Sequence, residues 1–537
     1  RPVRALGAVL AAVGVVIVGR AMWVQILRAD EYAARPSVGE QADGGYRFEY
    51  NPRLLSAARD IPRGSIYDRH GLPIATSRRD EIVGLVERYR KAGVELPGDC
   101  EPGAIRCYPL GGIGFHVIGD WRYQTNWGAR NSSYLERDRA ARLQGYDDHP
   151  QVVDVVNPGT GERERTVQRD YRELLPLARN RYRPGSATVK ALLGRDRDIR
   201  TSLDAGLQLR AAAALRRRIE SSDKRRGAAV VLDTGSGEVL AAVSYPWPAG
   251  ADLKRGVGPS DESDTSERFL DRPRYGLFPP GSIFKLVVAG AALRSDTAST
   301  FSCVRLPDGR VGNYVRGSRR PVRDDPLDTV PHGTVDLRKG VVVSCNAYFA
   351  QLAQQLGARA ILDASRLFQI DVARVPTAAG FGSTLPHVAY GQGEVLVSPL
   401  RMARVAASIA AGGTVPSVRW ERGGEARGGS DQRFLSTSDA ALLARYMREV
   451  VTSGTGRVLQ SNRTPIAGKT GTAEVGGGRA HSWFVGFAPF GGSGPRIAFA
   501  VVVENAGYGA RTAAPIAGEL VTAARESGIF RREEALQ

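Results

Sequence analysis

Lysine is the scarcest charge in this chain. Of 74 basic residues among 537, 7 are Lys, and Arg supplies the other 67. A given position is therefore Lys with a chance of about 0.013, so a lysine inside a motif carries weight. The four cysteines are too few for a disulfide-built scaffold. No Cys-x-x-Cys occurs, and the six histidines show no His-Glu-x-x-His, so no metal is expected. Gly-x-Ser-x-Gly is also absent, and no His is placed to suggest a Ser–His pair, which disfavours an α/β-hydrolase. Aromatics are 7% and do not interleave with the basic residues. The net charge of +18 is spread rather than gathered into a stripe, which argues against nucleic acid. It suits an anionic membrane or cell wall. Cys100 and Cys107 flank a six-residue loop, and their spacing fits a disulfide or two free thiols equally well.

A chain of this length holds two or three domains. Residues Ala5 to Val18 are nearly all apolar; Arg20 interrupts, and Ala21 to Leu27 continue with Trp23 among them. Together they can span a bilayer as an uncleaved anchor if Arg20 snorkels, with residues 1–27 as the anchor segment and the bulk of the chain outside. The first residue is Arg1 rather than Met, which leaves open what precedes it. Residues 28–200 are rich in Arg, Gly and Pro with short apolar runs, and read as an extended strand-and-loop module. Within it, 65–67 and 72–75 bracket Asp68-Arg69-His70-Gly71 as strand, turn, strand.

The character changes near Ile199. Ser202 is a candidate cap for a helix from Asp204 to about Ile219. Gly227 to Asp233 and Glu238 to Ser244 follow, joined by a short Gly-containing loop that fits an antiparallel hairpin. Two further strands are expected at Trp483 to Ala488 and Ile497 to Val503, then a helix from about Pro515 to Arg525. Strands at both ends with helices between them predict an α+β domain over 201–527, with 528–537 as a tail.

Three short motifs carry chemistry. After Pro279-Pro280-Gly281, the run from Ser282 to Leu293 reads as a buried helix whose polar side chains are Ser282 and Lys285, on one face. Burial lowers an amine's pKa, and a neutral amine can take a hydroxyl's proton. Ser344-Cys345-Asn346 follows an apolar run and can turn a hydroxyl and an amide into one cleft from a loop. Lys469-Thr470-Gly471-Thr472 reads as an edge strand, with Lys469 and Gly471 on one face and Gly471 leaving room for a substrate backbone. Each motif alone is weak. Together, with two of only 7 lysines in the motif positions and in order, they match the Ser-x-x-Lys, Ser-x-Asn, Lys-Thr-Gly signature.

Over almost its whole length the chain resembles a class B penicillin-binding protein. Arg63-Gly-Ser-Ile-Tyr-Asp-Arg-His-Gly71, Thr201-Ser-Leu-Asp-Ala-Gly-Leu-Gln208, Gly391-Gln-Gly393, Gly454-Thr-Gly456 and Trp483-Phe-Val-Gly-Phe-Ala-Pro489 carry the likeness. Asp271-Arg272-Pro273 departs from a more usual Asn-Arg-Ala. The resemblance implies a five-stranded sheet flanked by helices, a helical subdomain, an N-terminal pedestal and no cofactor. It implies that Ser282 is acylated by stem peptides or β-lactams, with Lys285 as base. Ser344 would relay protons and Lys469 would support it. Asn346, Thr470, Gly471 and Thr472 would hold the donor peptide and its carboxylate. The reaction implied is peptidoglycan D,D-transpeptidation on the outer side of the bacterial cytoplasmic membrane. No room is left for a glycosyltransferase domain, so a SEDS-type glycosyltransferase is the expected partner. The alternatives are hydrolysis, as a D,D-carboxypeptidase or β-lactamase, and a non-catalytic β-lactam receptor or scaffold.

Overall fold

The structure is a computed structural model. It describes residues 2–530 apart from 43, 98–99, 101–102, 125–126, 222–225, 255–266, 298, 317, 373–376, 378–379, 381–383, 424–431, 477 and 493. Glu101 and Pro102 of the loop between Cys100 and Cys107, and residues 531–537 of the expected tail, lie outside the described residues.

Pro2–Met22 forms an α-helix that continues through Trp23–Leu27. Its most apolar 18-residue window has a mean hydropathy of 2.1 and none of the 26 residues is buried, so the helix is long and apolar enough to cross a membrane. Arg20 and Arg28 each lie 4.4 Å from the Trp23 ring centroid, so two cations bracket the aromatic at the helix end.

Packing divides the chain into two units. One comprises 1–66, 76–82 and 138–199; the other comprises 67–75, 83–137 and 200–537. The stretch 28–200, read from sequence as one module, is therefore shared between them. The first unit carries two antiparallel hairpins, Ser37–Glu40 with Tyr46–Glu49 and Gln151–Val156 with Arg163–Gln168. Its small core includes Leu54, Tyr146, Leu174 and Leu192. Around Arg63-Gly-Ser65, the Ser65 hydroxyl donates to Glu81 (2.8 Å), while Asp198 accepts from Ser65 N and from Arg78. A Cβ on Gly64 would lie 1.9 Å from the Arg197 carbonyl oxygen, which is why this motif needs glycine there.

In the second unit, Asp68 accepts from the amides of His70 and Leu72, closing the turn expected between the short strands. Residues 83–137 belong here because their polar groups are satisfied by it. Gln208 donates to the Ile113 carbonyl, Arg274 to the Ser133 carbonyl, and the Arg106–Glu136 pair is fully buried at 2.7 Å. Cys100 and Cys107 are joined as a disulfide.

Five antiparallel strands form the main sheet: β1 (Gly227–Asp233), β2 (Val239–Tyr245), β3 (Ala467–Ala473), β4 (His481–Ala488) and β5 (Ile497–Val503), in the order β3-β4-β5-β1-β2. The expected hairpin and late strands are thus present, and β3 is an edge strand as its motif predicted. Every residue of β4 and β5 is buried, because helices cover both faces. Helices α1 (Ala205–Glu220) and α7 (Ala513–Glu526) pack on one face, and α5 (Pro399–Ala410) on the other. Helix α1 starts one residue later than predicted and is capped by Asp204, whose carboxylate accepts from Leu207 N (2.8 Å). Ser202 instead donates to the carbonyls of Val239 and Arg419. Ile529 and Phe530, read as tail, pack partly against the core.

Between β2 and β3 lie α2 (Lys285–Arg294), α3 (Leu337–Val343), α4 (Asn346–Arg366) and α6 (Thr437–Thr452). They are joined by a four-stranded sheet over Phe301–Val335 that sequence periodicity did not reveal, because three of its strands have only two or three residues.

Phe499 is fully buried at the sheet centre and stacks on Phe484, with ring centroids 6.2 Å apart. Phe499→Ala is expected to cost about 3–5 kcal/mol. Urea unfolding followed by tryptophan fluorescence measures it, and an unchanged midpoint would contradict this account of the core.

Candidate active site

Ser282 lies in a 3-10 turn, Gly281–Phe284, which runs directly into α2. The turn is pinned on all sides. Gly281 has φ +55° and donates its N–H to the Gly391 carbonyl (2.9 Å). Phe278 and Val397 exchange backbone hydrogen bonds (3.0 and 2.9 Å), and Trp483 Nε1 donates to the Pro279 carbonyl (3.0 Å). A Cβ on Gly281 would lie 2.5 Å from the Thr472 carbonyl oxygen; one on Gly471 would lie 3.0 Å from the Pro280 carbonyl oxygen and 2.9 Å from Ile283. The space beside Gly471 is therefore filled by the Ser282 turn itself. Glycine is thus required at 471 by the packing of that turn.

Asp271-Arg272-Pro273, the departure upstream, is explained by burial. Arg272 is inaccessible to solvent and its Nε donates to Glu504 at 2.8 Å, while Asp271 caps the short helix Arg272–Tyr275.

Lys285 is wholly buried one helical turn after Ser282. Its Nζ donates to the Ser344 carbonyl (2.5 Å), the Ser344 hydroxyl (3.1 Å) and Asn346 Oδ1 (2.7 Å). Lys469, also fully buried, points from β3 to the same Ser344 hydroxyl (2.8 Å). The first residues of all three motifs, predicted separately, are thus within one hydrogen-bond network or one helical turn of it. Ser344 stands in the left-handed region (φ +63°) between α3 and α4. That conformation is costly for a residue with a Cβ, and here both its carbonyl and its hydroxyl are tied to lysine.

Burial pushes Lys285 down to about 8, against the upward pull of Asp324 and neighbouring charges. Burial, and then the charge of Lys285, push Lys469 well below the usual lysine range. Two amines held this way can shuttle protons near neutral pH.

On the other face of β3, the Thr470 hydroxyl meets that of Thr455 (2.5 Å), which accounts for Gly454-Thr-Gly456. Thr472 is half-buried, and its hydroxyl accepts from Gly509 N (3.5 Å).

Sequence reading missed the group that holds Ser344-Cys345-Asn346 in place. Asp324 accepts from the amides of Asn346 and Ala347 with one carboxylate oxygen. Its other oxygen accepts from the Cys303 and Cys345 thiols (3.0 and 3.2 Å) and lies 3.2 Å from His332 Nδ1. Burial would raise Asp324, but hydrogen bonds from His332 and Cys303 and the charge of Lys285 hold it at about 2. The donor atoms of Cys303, Asp324, His332 and Cys345 lie within 4.8 Å of one another, a set of the kind that binds a four-coordinate zinc-like cation. Linear spacing gave no sign of it, since Asp324 stands 21 residues from each cysteine.

Comparison with known proteins agrees with this geometry. Residues 227–522 match the family model described as the penicillin-binding protein transpeptidase domain. The peptidoglycan D,D-transpeptidase PbpA of Mycobacterium tuberculosis is 30% identical over 345 residues, covering 56% of this chain and 67% of that protein. The peptidoglycan D,D-transpeptidase MrdA of Acinetobacter baumannii is 28% identical over 518 residues, covering 83% and 71%. The solved imipenem acyl-enzyme complex of penicillin-binding protein A from M. tuberculosis superposes with a TM-score of 0.62 at 24% identity, covering 88% of this chain and all of that one, a likeness of fold. With the matched domain spanning more than half its length and the three motifs converging as described, the chain belongs to the penicillin-binding protein transpeptidase family, in its class B branch.

Proposed function

We propose that this chain is a peptidoglycan D,D-transpeptidase working through an acyl-enzyme on Ser282, which β-lactams also acylate. The observation that carries this reading is the meeting of Lys285 and Lys469 on one hydroxyl, a helical turn from Ser282. Lys285, in its neutral form, takes the Ser282 proton as the hydroxyl attacks the donor carbonyl. Backbone N–H groups of Ser282 and Thr472 receive the oxyanion. Ser344, fed by Lys469, hands a proton to the departing D-Ala, and the amine of a neighbouring stem then resolves the acyl-enzyme. Asn346 holds the donor peptide; Thr470, Gly471 and Thr472 flank its carboxylate. The Pro2–Leu27 helix supports anchorage in the bacterial cytoplasmic membrane. The Cys100–Cys107 disulfide supports a catalytic unit on the extracytoplasmic side. A SEDS-type polytopic glycosyltransferase is the partner that supplies glycan strands.

Three outcomes are expected. After exposure to a penicillin, intact-mass spectrometry finds a stable one-drug adduct on the wild type and none on Ser282→Ala. An adduct on the variant removes Ser282 as nucleophile, and drug consumption without an adduct points to a β-lactamase instead.

The acylation rate should depend on neutral Lys285. Below about 8 its ammonium dominates, so the rate falls roughly tenfold per pH unit and levels off above that value. Stopped-flow labelling with a fluorescent penicillin across pH 6 to 10 reads this; a flat profile, or rapid neutral-pH labelling of Lys285→Ala, refutes the base assignment.

Finally, the full chain co-purifies in detergent with a SEDS glycosyltransferase from the same cell. Failure to recover the pair from crosslinked membranes would count against that partner.

A further inference from the structure

The contact of Lys469 with Ser344 is not alone in joining the two walls of the cleft. The Tyr508 hydroxyl donates to the Asp325 carboxylate at 3.2 Å. Tyr508 belongs to the β3 wall. Its neighbour Gly509 donates its N–H to the Thr472 hydroxyl (3.5 Å), and a Cβ on Gly509 would lie 2.5 Å from the Gly471 carbonyl oxygen. Asp325 belongs to the opposite wall. It follows Asp324, whose carboxylate holds the amides of Asn346 and Ala347. Thr472 lies three residues beyond Lys469 on β3, about 10 Å along the strand. The Lys469–Ser344 and Tyr508–Asp325 ties therefore bracket the stretch that carries the Thr470 and Thr472 hydroxyls.

We propose that Tyr508 and Asp325 form a stop at the carboxylate end of the groove, which restricts acyl donors to chains that finish at that carboxylate. A D-Ala-D-Ala terminus ends there and leaves the bridge intact. A ligand that continues past its carboxylate meets the phenol and has to break the bond to Asp325. A hydroxyl bonded to an ionised carboxylate is among the stronger hydrogen bonds, and breaking it slows entry by about tenfold. The backbone beneath the phenol is fixed and offers no other way past. The Tyr508 carbonyl accepts from the Ser482 hydroxyl (3.1 Å), and Gly507 N donates to the Ala480 carbonyl (2.8 Å). Tyr508 is half-buried, with the Arg511 guanidinium 5.8 Å from its ring centroid, so the hydroxyl rather than the ring is what the bridge alone secures.

This inference rests on the proposed acylation of Ser282 and on the place given there to the donor carboxylate. Cephalosporins test it, because their C3 substituent adjoins the carbon bearing the carboxylate and extends past it. The full-length protein, Tyr508→Phe, Asp325→Asn and the double variant are each acylated by two cephalosporins. The pair shares one acylamino group and differs at C3, methyl against arylvinyl. Intact-mass spectrometry follows the rates. The quantity read is the ratio of the arylvinyl rate to the methyl rate, in which drug reactivity and any change at Lys285 cancel.

Phe keeps the ring beside Arg511 and loses the hydroxyl, so the ratio rises about tenfold. Asn keeps an acceptor for Leu327 N, which Asp325 now binds at 2.9 Å, but carries no charge. Its weaker bridge raises the ratio less, about threefold. The double variant rises no further than Tyr508→Phe, since the bridge is already gone. A ratio unmoved in Tyr508→Phe overturns the proposal, and so does a double variant in which the two increases multiply. A wild type acylated by neither cephalosporin and by no penicillin instead takes down the acylation reading, and the stop with it.

Discussion

Two positive charges cannot share one hydroxyl in a dry interior without consequence, and the catalytic unit is built around that constraint. Lys285 and Lys469 are both wholly buried and both reach Ser344. Desolvation lowers both amines and the charge of Lys285 lowers Lys469 further, while Asp324 and neighbouring acidic groups hold Lys285 at about 8. The sheet, the buried α2 and the left-handed Ser344 are the scaffold needed to hold that arrangement against its own electrostatics. Lysine is the right residue for it, since its amine shifts readily on burial and arginine's guanidinium does not.

Much of this was legible in the chain. The β1–β2 hairpin, the late strands, α1 and α7 announced themselves because apolar runs bounded by turn residues leave few other choices. The motif lysines stood out through rarity, and their meeting at Ser344 is what three weak patterns in order implied. What stayed hidden was long-range or very short. The four-stranded sheet over 301–335 uses strands too brief for periodicity. The support of Ser344-Cys345-Asn346 comes from Asp324, an acid whose sequence neighbourhood carries no mark of its role. The packing of the Ser282 turn on Gly471 was hidden as well, because the two are nearly two hundred residues apart.

Composition across 28–200 is uniform enough to look like one module, yet buried polar groups assign 83–137 elsewhere. Gly112 is an instance: a Cβ there would lie 1.9 Å from the Pro248 carbonyl oxygen, a close backbone approach that composition does not record.

The close approach of Gly281 to the Thr472 carbonyl, and of Gly471 to the Pro280 carbonyl, has a mechanical meaning. With no Cβ on either glycine, the turn bearing Ser282 and strand β3 approach backbone to backbone and have little compressible layer to absorb relative motion. The nucleophile and the Thr470–Thr472 hydroxyls therefore move as one rigid wall. A cleft with one rigid wall widens only by displacement of the other. That other wall is the Ser344–Asn346 arm, which hangs on side-chain hydrogen bonds rather than on sheet. The enzyme's compliance, and with it the size of peptide or drug it admits, is thus governed by the side of the cleft that does not carry the nucleophile.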